Sequence, residues 1–169
     1  EKGIIDRAGK FIEGSDPMIE TVKSQKRFML KGTSVHINED DIANIITAKA
    51  AIFAAAKILL DRMNLSFGDI DRLFIAGGFG SFIDIKHAIK IGLLPALPST
   101  SIQYAGNTSL WGAKLAVLSK EAFDELDKIK SMTTYYDLMG SHDYVEQFEQ
   151  ARFLPHTDIS LFAEANKHG

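Results

Sequence analysis

Three glycines within four positions, Gly77, Gly78 and Gly80, follow directly on the apolar run Leu73-Phe74-Ile75-Ala76. An apolar run that breaks into glycine reads as a buried strand feeding a turn from its carboxyl end, which is where open α/β sheets hold their ligands. A second turn of this kind stands at Tyr104-Ala105-Gly106-Asn107-Thr108-Ser109, ahead of an apolar helical stretch from Leu110 to Leu118. Glycine lacks Cβ, so such turns let backbone approach an adenine or a ribose. The helix start after Gly106 presents free amides suited to an anion. Two strand-glycine-helix units suggest a nucleotide-sized crevice, although a plain strand-to-helix turn also explains the glycines and capping also explains Asn107.

Other constellations are excluded or carry less. Counted from Gly78, the third glycine of a dinucleotide-binding fingerprint falls on Ile83, and Gly9-Lys10 is followed by Phe11 where a phosphate loop needs serine or threonine. The five histidines, His36, His87, His142, His156 and His168, show no metal-ligand spacing, so no metal site is expected. Ser141-His142-Asp143 are neighbours in sequence, and a catalytic triad needs members that converge in space. The trio reads as a helix start capped by Ser141. Acids such as Asp69, Asp71, Glu121, Asp124 and Glu125 sit where solvated faces are expected, so no catalytic residue is nominated.

Composition bounds the rest. At 169 residues and 46% apolar side chains the chain can bury a core of one domain or one lobe. A net charge of -3 makes no electrostatic case for nucleic acid. Without cysteine the chain holds no disulfide, thiolate metal site or iron-sulfur cluster. The most apolar stretch, Ile42 to Leu60, is interrupted by Asn44, Thr47, Lys49 and Lys57 and is not expected to span a membrane; no signal peptide is visible, and the cytoplasm is the expected location. Glu1 in first position and the following Gly3-Ile4-Ile5-Asp6 read as the continuation of a longer chain.

The elements that must position the glycine turns are expected as follows. Glu13 to Lys26 is polar, with a turn at residues 14–17 and a short helix after it. Phe28 to Leu30 and Ser34 to Ile37 form a hairpin. Asn38 caps the longest helix, which runs to about Met63 with Glu39, Asp40 and Asp41 at its positive end. Its alanines permit close approach of another backbone or of a flat ligand, and Lys49, set in this apolar face, either snorkels to solvent or meets an anion. A strand over residues 72–76 enters the first glycine turn, Asp84 caps a helix to Ile91, and a strand over residues 101–104 enters the second. A charged helix covers Ser119 to Lys130, a strand Thr133 to Leu138, and a helix Asp143 to Phe153. The alternation argues for an α/β layer structure.

Five segments in this order, Thr47-Ala48-Lys49-Ala50-Ala51-Ile52, Asp69-Ile70-Asp71-Arg72, Ile75-Ala76-Gly77-Gly78-Phe79-Gly80, Ala88 through Pro95, and Gly106 through Ala113, resemble the C-terminal part of the reductive activators of corrinoid proteins. The resemblance runs from about Gly3 to Pro155. Those activators belong to the superfamily of acetate and sugar kinases, Hsp70 and actin. The resemblance implies an α/β, ribonuclease-H-like lobe of the actin/Hsp70 type, a mixed sheet flanked by helices. Residues 1–155 would form the C-terminal ATP-binding lobe and residues 156–169 a peripheral tail.

The resemblance further implies an ATP cleft between two lobes, with Gly77, Gly78, Phe79 and Gly80 at the adenosine and Asn107 opening the helix that connects the lobes. Lys49 and Phe53 fall where the long helix faces the nucleotide. ATP with Mg would be the cofactor, a corrinoid protein of a methyltransferase system the partner, and a homodimer the assembly. Neither nucleic acid nor membrane is implied. Such enzymes couple ATP to the return of Co(II) corrinoid to Co(I), with electrons from an N-terminal iron-sulfur domain. This chain lacks the cluster cysteines and the phosphate motifs and acid of the preceding lobe, so the activity belongs to the parent protein and the chain by itself supplies mainly binding. Two alternatives stay open: an activator of another redox enzyme such as a dehydratase, and a dimerisation or docking module in which Tyr135, Tyr136, Tyr144, Phe148 and Phe153 serve an interface.

Overall fold

The computed structural model describes residues 3–78, 80–98, 101–138 and 140–162. Three antiparallel strands, β1 (Ile19–Val22), β2 (Gln25–Met29) and β3 (His36–Asn38), form one sheet in that order. β1 occupies the polar stretch from which a short helix was expected. Its alternation is too brief to stand out in sequence, and pairing to β2 in the register Ile19↔Phe28 and Val22↔Gln25 supplies the missing partner.

Helix α1 (Glu39–Arg62) follows at once. Its start is a capping box in which Asn38 Oδ1 accepts the Asp41 amide while the Asp41 carboxylate accepts the Asn38 amide. By length and composition alone α1 is apolar enough to cross a bilayer despite its polar interruptions, a test that the core helix of a soluble protein also passes. In the fold it is the central core helix and buries Ile46, Lys49, Ala50, Phe53, Ala54 and Ile58. It packs against α5 (His142–Ala151), and Ala50, Ala54 and Ala151 are fully buried, as close helix packing requires.

The second layer is a strand-helix-strand unit. β4 (Leu73–Ala76) and β5 (Ile102–Gly106) pair in parallel, joined through α2 (Ile85–Lys90), whose first turn is capped by Asp84 accepting the His87 amide. Leu73, Ile75 and Ile102 turn to the core that contains Phe53, Ile89, Leu94, Leu97 and Phe162. The α/β class with helices around the strands is as expected, the antiparallel strands and the parallel pair lying in separate sheets among the described residues.

Beyond β5 come α3 (Thr108–Leu118) and α4 (Lys120–Met132), neither of which buries a residue. Residues 133–138 are not a strand: among the described residues no neighbouring strand stands beside them to accept their backbone bonds. Ser141 holds the N-cap position of α5 but its hydroxyl makes no capping bond. The aromatic residues of this region divide: Phe148 packs on the core and stacks with Tyr144 at 6.3 Å, Tyr136 lies under the Arg62 guanidinium, and Tyr135 is exposed.

The stretch past Pro155, expected to be peripheral, is not so over residues 156–162, because His156 and Phe162 are buried against Phe53. Residues 163–169 lie outside the described ones.

Candidate functional site

The two glycine turns meet. β4 and β5 run in register from Leu73↔Ile102 to Ile75↔Tyr104, then shift so that Ala76 faces Gly106, which makes Ala105 the extra residue of a bulge. That shift brings the two strand ends level, and the Gly77 amide donates to the Gly106 carbonyl at 2.7 Å. The turns therefore lie side by side at the carboxyl ends of parallel strands, with α3 starting from the second.

The glycines serve different ends. Gly77 sits at φ 91°, a conformation that side chains disfavour, so the turn itself requires it. Gly80 is buried, and a Cβ there would come within 2.6 Å of Ile75 Cγ2, so it is glycine to let the chain lie on its own strand. Gly78 has neither reason: its φ is not positive, and a Cβ would meet nothing within 4 Å among the described residues. It is exposed on the open side of the turn. A glycine that neither geometry nor packing demands leaves room for something outside the chain.

Asn107 opens α3 as its N-cap, Oδ1 accepting the Leu110 amide at 3.1 Å. The amides of Thr108 and Ser109 in the same turn have no helical acceptor. Structure thus brings Gly77, Gly78, Gly80 and Asn107 together; Phe79 lies outside the described residues.

Lys49 and Phe53 are placed elsewhere, in the interior. Lys49 is 1% exposed, and its Nζ donates to the Phe153 carbonyl at 2.5 Å and the Pro155 carbonyl at 2.7 Å. It neither snorkels to solvent nor meets an anion, which corrects both expectations for it. Two neutral carbonyls take its hydrogens, while burial lowers its pKa to about 8. Phe53, also 1% exposed, is surrounded by Phe67, His156 and Phe162 with ring centroids 5.2 to 5.4 Å away. Neighbouring His156 accepts the Asp158 amide on Nδ1 at 3.0 Å, and burial, with the Lys49 charge beside it, holds its pKa down.

The acids serve local structure. Asp69 accepts the Ser66 hydroxyl and amide, and these bonds keep its carboxyl below the usual range. Asp143 pairs with Arg62 at 3.1 Å at the α1–α5 seam, so the Ser-His-Asp trio is not assembled for catalysis. No cluster of three or more metal-ligating side chains occurs among the described residues.

One observation had no signal in sequence: residues 153–157 form a strap whose carbonyls are gripped alternately from two sides. Lys49 takes those of Phe153 and Pro155; Arg7 takes those of Leu154, His156 and Thr157 and returns its own carbonyl to the Leu154 amide.

A strand-helix-strand unit with paired glycine turns at its carboxyl edge and a helix start beside them defines an α/β domain of the class in which ligands lie at the carboxyl ends of the strands. More narrowly, the chain belongs to the family described as the C-terminal domain of RACo, the ASKHA domain, whose family model matches residues 1–166. It is 29% identical over 162 residues to the corrinoid activation enzyme RamQ of Eubacterium limosum, covering 87% of this chain and 27% of that protein. It is 27% identical over 121 residues to the [Co(II) methylated amine-specific corrinoid protein] reductase of Methanosarcina barkeri, covering 71% of this chain and 22% of that protein. A solved structure, that of a reductive activator for corrinoid, iron-sulfur protein, superposes with a TM-score of 0.84 at 40% identity over 95% of this chain and 27% of that one. The chain thus spans about a quarter of the length of these relatives.

Proposed function

We propose that this chain is the C-terminal ATP-binding lobe of an ATP-dependent reductive activator that returns Co(II) corrinoid proteins of methyltransferase systems to Co(I). The relatives named as a corrinoid activation enzyme, a corrinoid protein reductase and a reductive activator support the activity and the corrinoid partner. The observation that carries nucleotide binding is the joined pair of glycine turns, with Gly78 left open where neither φ nor packing requires glycine. A flat base or ribose can lie against such backbone, and the free amides at the start of α3 suit an anionic group.

The residues fit ATP in part. Gly77, Gly78 and Gly80 make the adenosine edge, to which the resemblance adds Phe79, and Asn107 holds the helix start beside it. Lys49 and Phe53 are assigned to joining α1 to the C-terminal strap, since their contacts are spent there. Magnesium would ride on the phosphates of ATP and on groups from the facing lobe; no acidic cluster in the described residues offers a site of its own. An iron-sulfur cluster does not fit this chain, which has no cysteine, so no electron-transfer step is assigned to its residues. A homodimer in the cytoplasm completes the reading.

The test is calorimetric titration of ATP into the full-length protein and into its Gly78→Val variant. A Cβ at position 78 meets nothing within 4 Å among the described residues, so the melting temperature should hold, while filling the open edge should weaken ATP at least about tenfold. Equal affinity in the two proteins would remove this turn from the nucleotide site.

A further inference from the structure

We propose that Tyr104 is a positioning residue for the nucleotide, its hydroxyl fixing the far end of the glycine arm, residues 77–83, so that Gly78 is presented at a set height above the strand ends. The inference rests on the ATP reading of these turns and deepens it.

Among its described residues the arm touches the sheet at three places. It starts at Gly77, whose amide is bound by the Gly106 carbonyl of β5. It passes through the short 3-10 turn Gly80–Phe82, where Gly80 lies against Ile75 with no room for a Cβ. It ends at Ile83, whose carbonyl accepts a hydrogen bond from the Tyr104 hydroxyl. Tyr104 stands opposite Ile75 in the β4–β5 register, on the strand face along which the arm returns. β5 thus holds both ends of the arm, at residues two positions apart, and the segment between them carries Gly78.

Tyrosine suits a strand, and at 46% exposed its ring is only partly packed; what phenylalanine would lack at this position is the hydroxyl bonded to the Ile83 carbonyl. That hydrogen bond, made across 21 residues of chain, ties the end of the arm to β5. Binding to a preformed edge avoids the ordering cost that a loose arm would add to each association.

Since the arm faces the adenosine and not the phosphates, its loosening should cost ATP and free adenosine the same factor. The experiment compares the full-length protein with Tyr104→Phe, titrating each with ATP and with adenosine and measuring ATPase kinetics. Removing one hydroxyl should weaken both ligands by a common factor of about three- to tenfold, raise KM for ATP likewise and leave kcat near wild type. The circular dichroism and melting temperature should be retained, because the ring stays. Wild-type affinity in Tyr104→Phe, a loss confined to ATP, or a collapse of the fold would each overturn the positioning role. Failure of the wild-type protein itself to bind ATP would instead sink the nucleotide reading, and this inference with it.

Discussion

At the scale of single residues, Lys49 is the most consequential side chain whose place differs from expectation. Ile46 and Phe53, three and four residues from it along the helix, mark a packed face, and a lysine on such a face usually extends to water. What holds it inside is the strap, more than a hundred residues away in sequence. Replacing it with methionine keeps the volume and leaves the carbonyls of Phe153 and Pro155 without a donor. At pH 7 that loss is partly offset by no longer burying a charge, so a net destabilisation of about 1–3 kcal/mol is expected. The pH dependence is sharper. With the folded pKa at about 8 against 10.5 for the free side chain, the unfolded state binds more protons between those values. Stability therefore rises with pH through that window, by up to about 1.4 kcal/mol per pH unit, and is lost again as pH falls toward 8. Urea titrations at about pH 7.5 and about pH 9.5, on either side of the folded value, should show the wild-type protein gaining on Lys49→Met. A constant gap would mean that the amine is not desolvated. The glycines, in contrast, were legible as a turn, because three within four positions after an apolar run mark the end of a strand. Which of them packs, which turns and which stays open depends on the path of the chain over Ile75 and on Gly106, neither of which is a property of the motif itself.

At the scale of elements, boundaries followed local chemistry wherever a cap or a glycine wrote them. Asn38 and Asp41 bracket the start of α1, Asp84 starts α2, and Ser119 both ends α3 and accepts the Ala122 amide of α4. Where an element depends on a distant partner the sequence was mute or misleading. β1 exists because β2 is beside it, and Thr133–Leu138, β-rich by composition, has no strand to pair with among the described residues. The C-terminal strap is the extreme case, since Phe153-Leu154-Pro155-His156 has no periodicity and is held by Lys49, Arg7 and the turn after α2. That turn supplies a prediction. Gly92 sits at φ 79°, and a Cβ there would lie 2.0 Å from the Pro155 carbonyl oxygen, a backbone atom that cannot step aside by a rotamer change. Gly92→Ala should cost about 2–4 kcal/mol from steric overlap and backbone strain together. The loss should appear as a lowered urea midpoint and as faster hydrogen exchange at the Leu154 amide, which is bonded to the Arg7 carbonyl. An alanine variant with unchanged midpoint would show that the strap is not pressed against this turn.

At the scale of the molecule, the core is lopsided. Phe53, Ile89, Leu97, Ala151 and Phe162 gather where α1, α2, α5 and the strap converge, while α3 and α4 contribute no buried residue. Leu110, Trp111, Leu115 and Leu118 on α3, and Phe123, Leu126 and Ile129 on α4, are exposed, and so is Phe74 on the outer face of β4. Apolar surface on this scale is unusual on an isolated soluble domain and favours association. Helices that bury no apolar face also lack the packing that stabilises helices in proteins, since short helices are marginal on propensity alone. Both consequences are measurable on the 169-residue chain produced by itself. Sedimentation at rising concentration should show self-association, with binding of a hydrophobic dye. Hydrogen exchange at dilute concentration should find the amides of α3 and α4 opening well before those of α1, whose Ala50, Phe53 and Ala54 are enclosed. In the full-length protein, protection of α3 and α4 should rise toward that of α1, because covering Trp111 and Phe123 supplies the burial that the short chain lacks. Equal and strong protection of all three helices in the short chain would mean that the α3–α4 contact alone stabilises the pair, and that the exposed apolar surface is compatible with an independent, monomeric lobe.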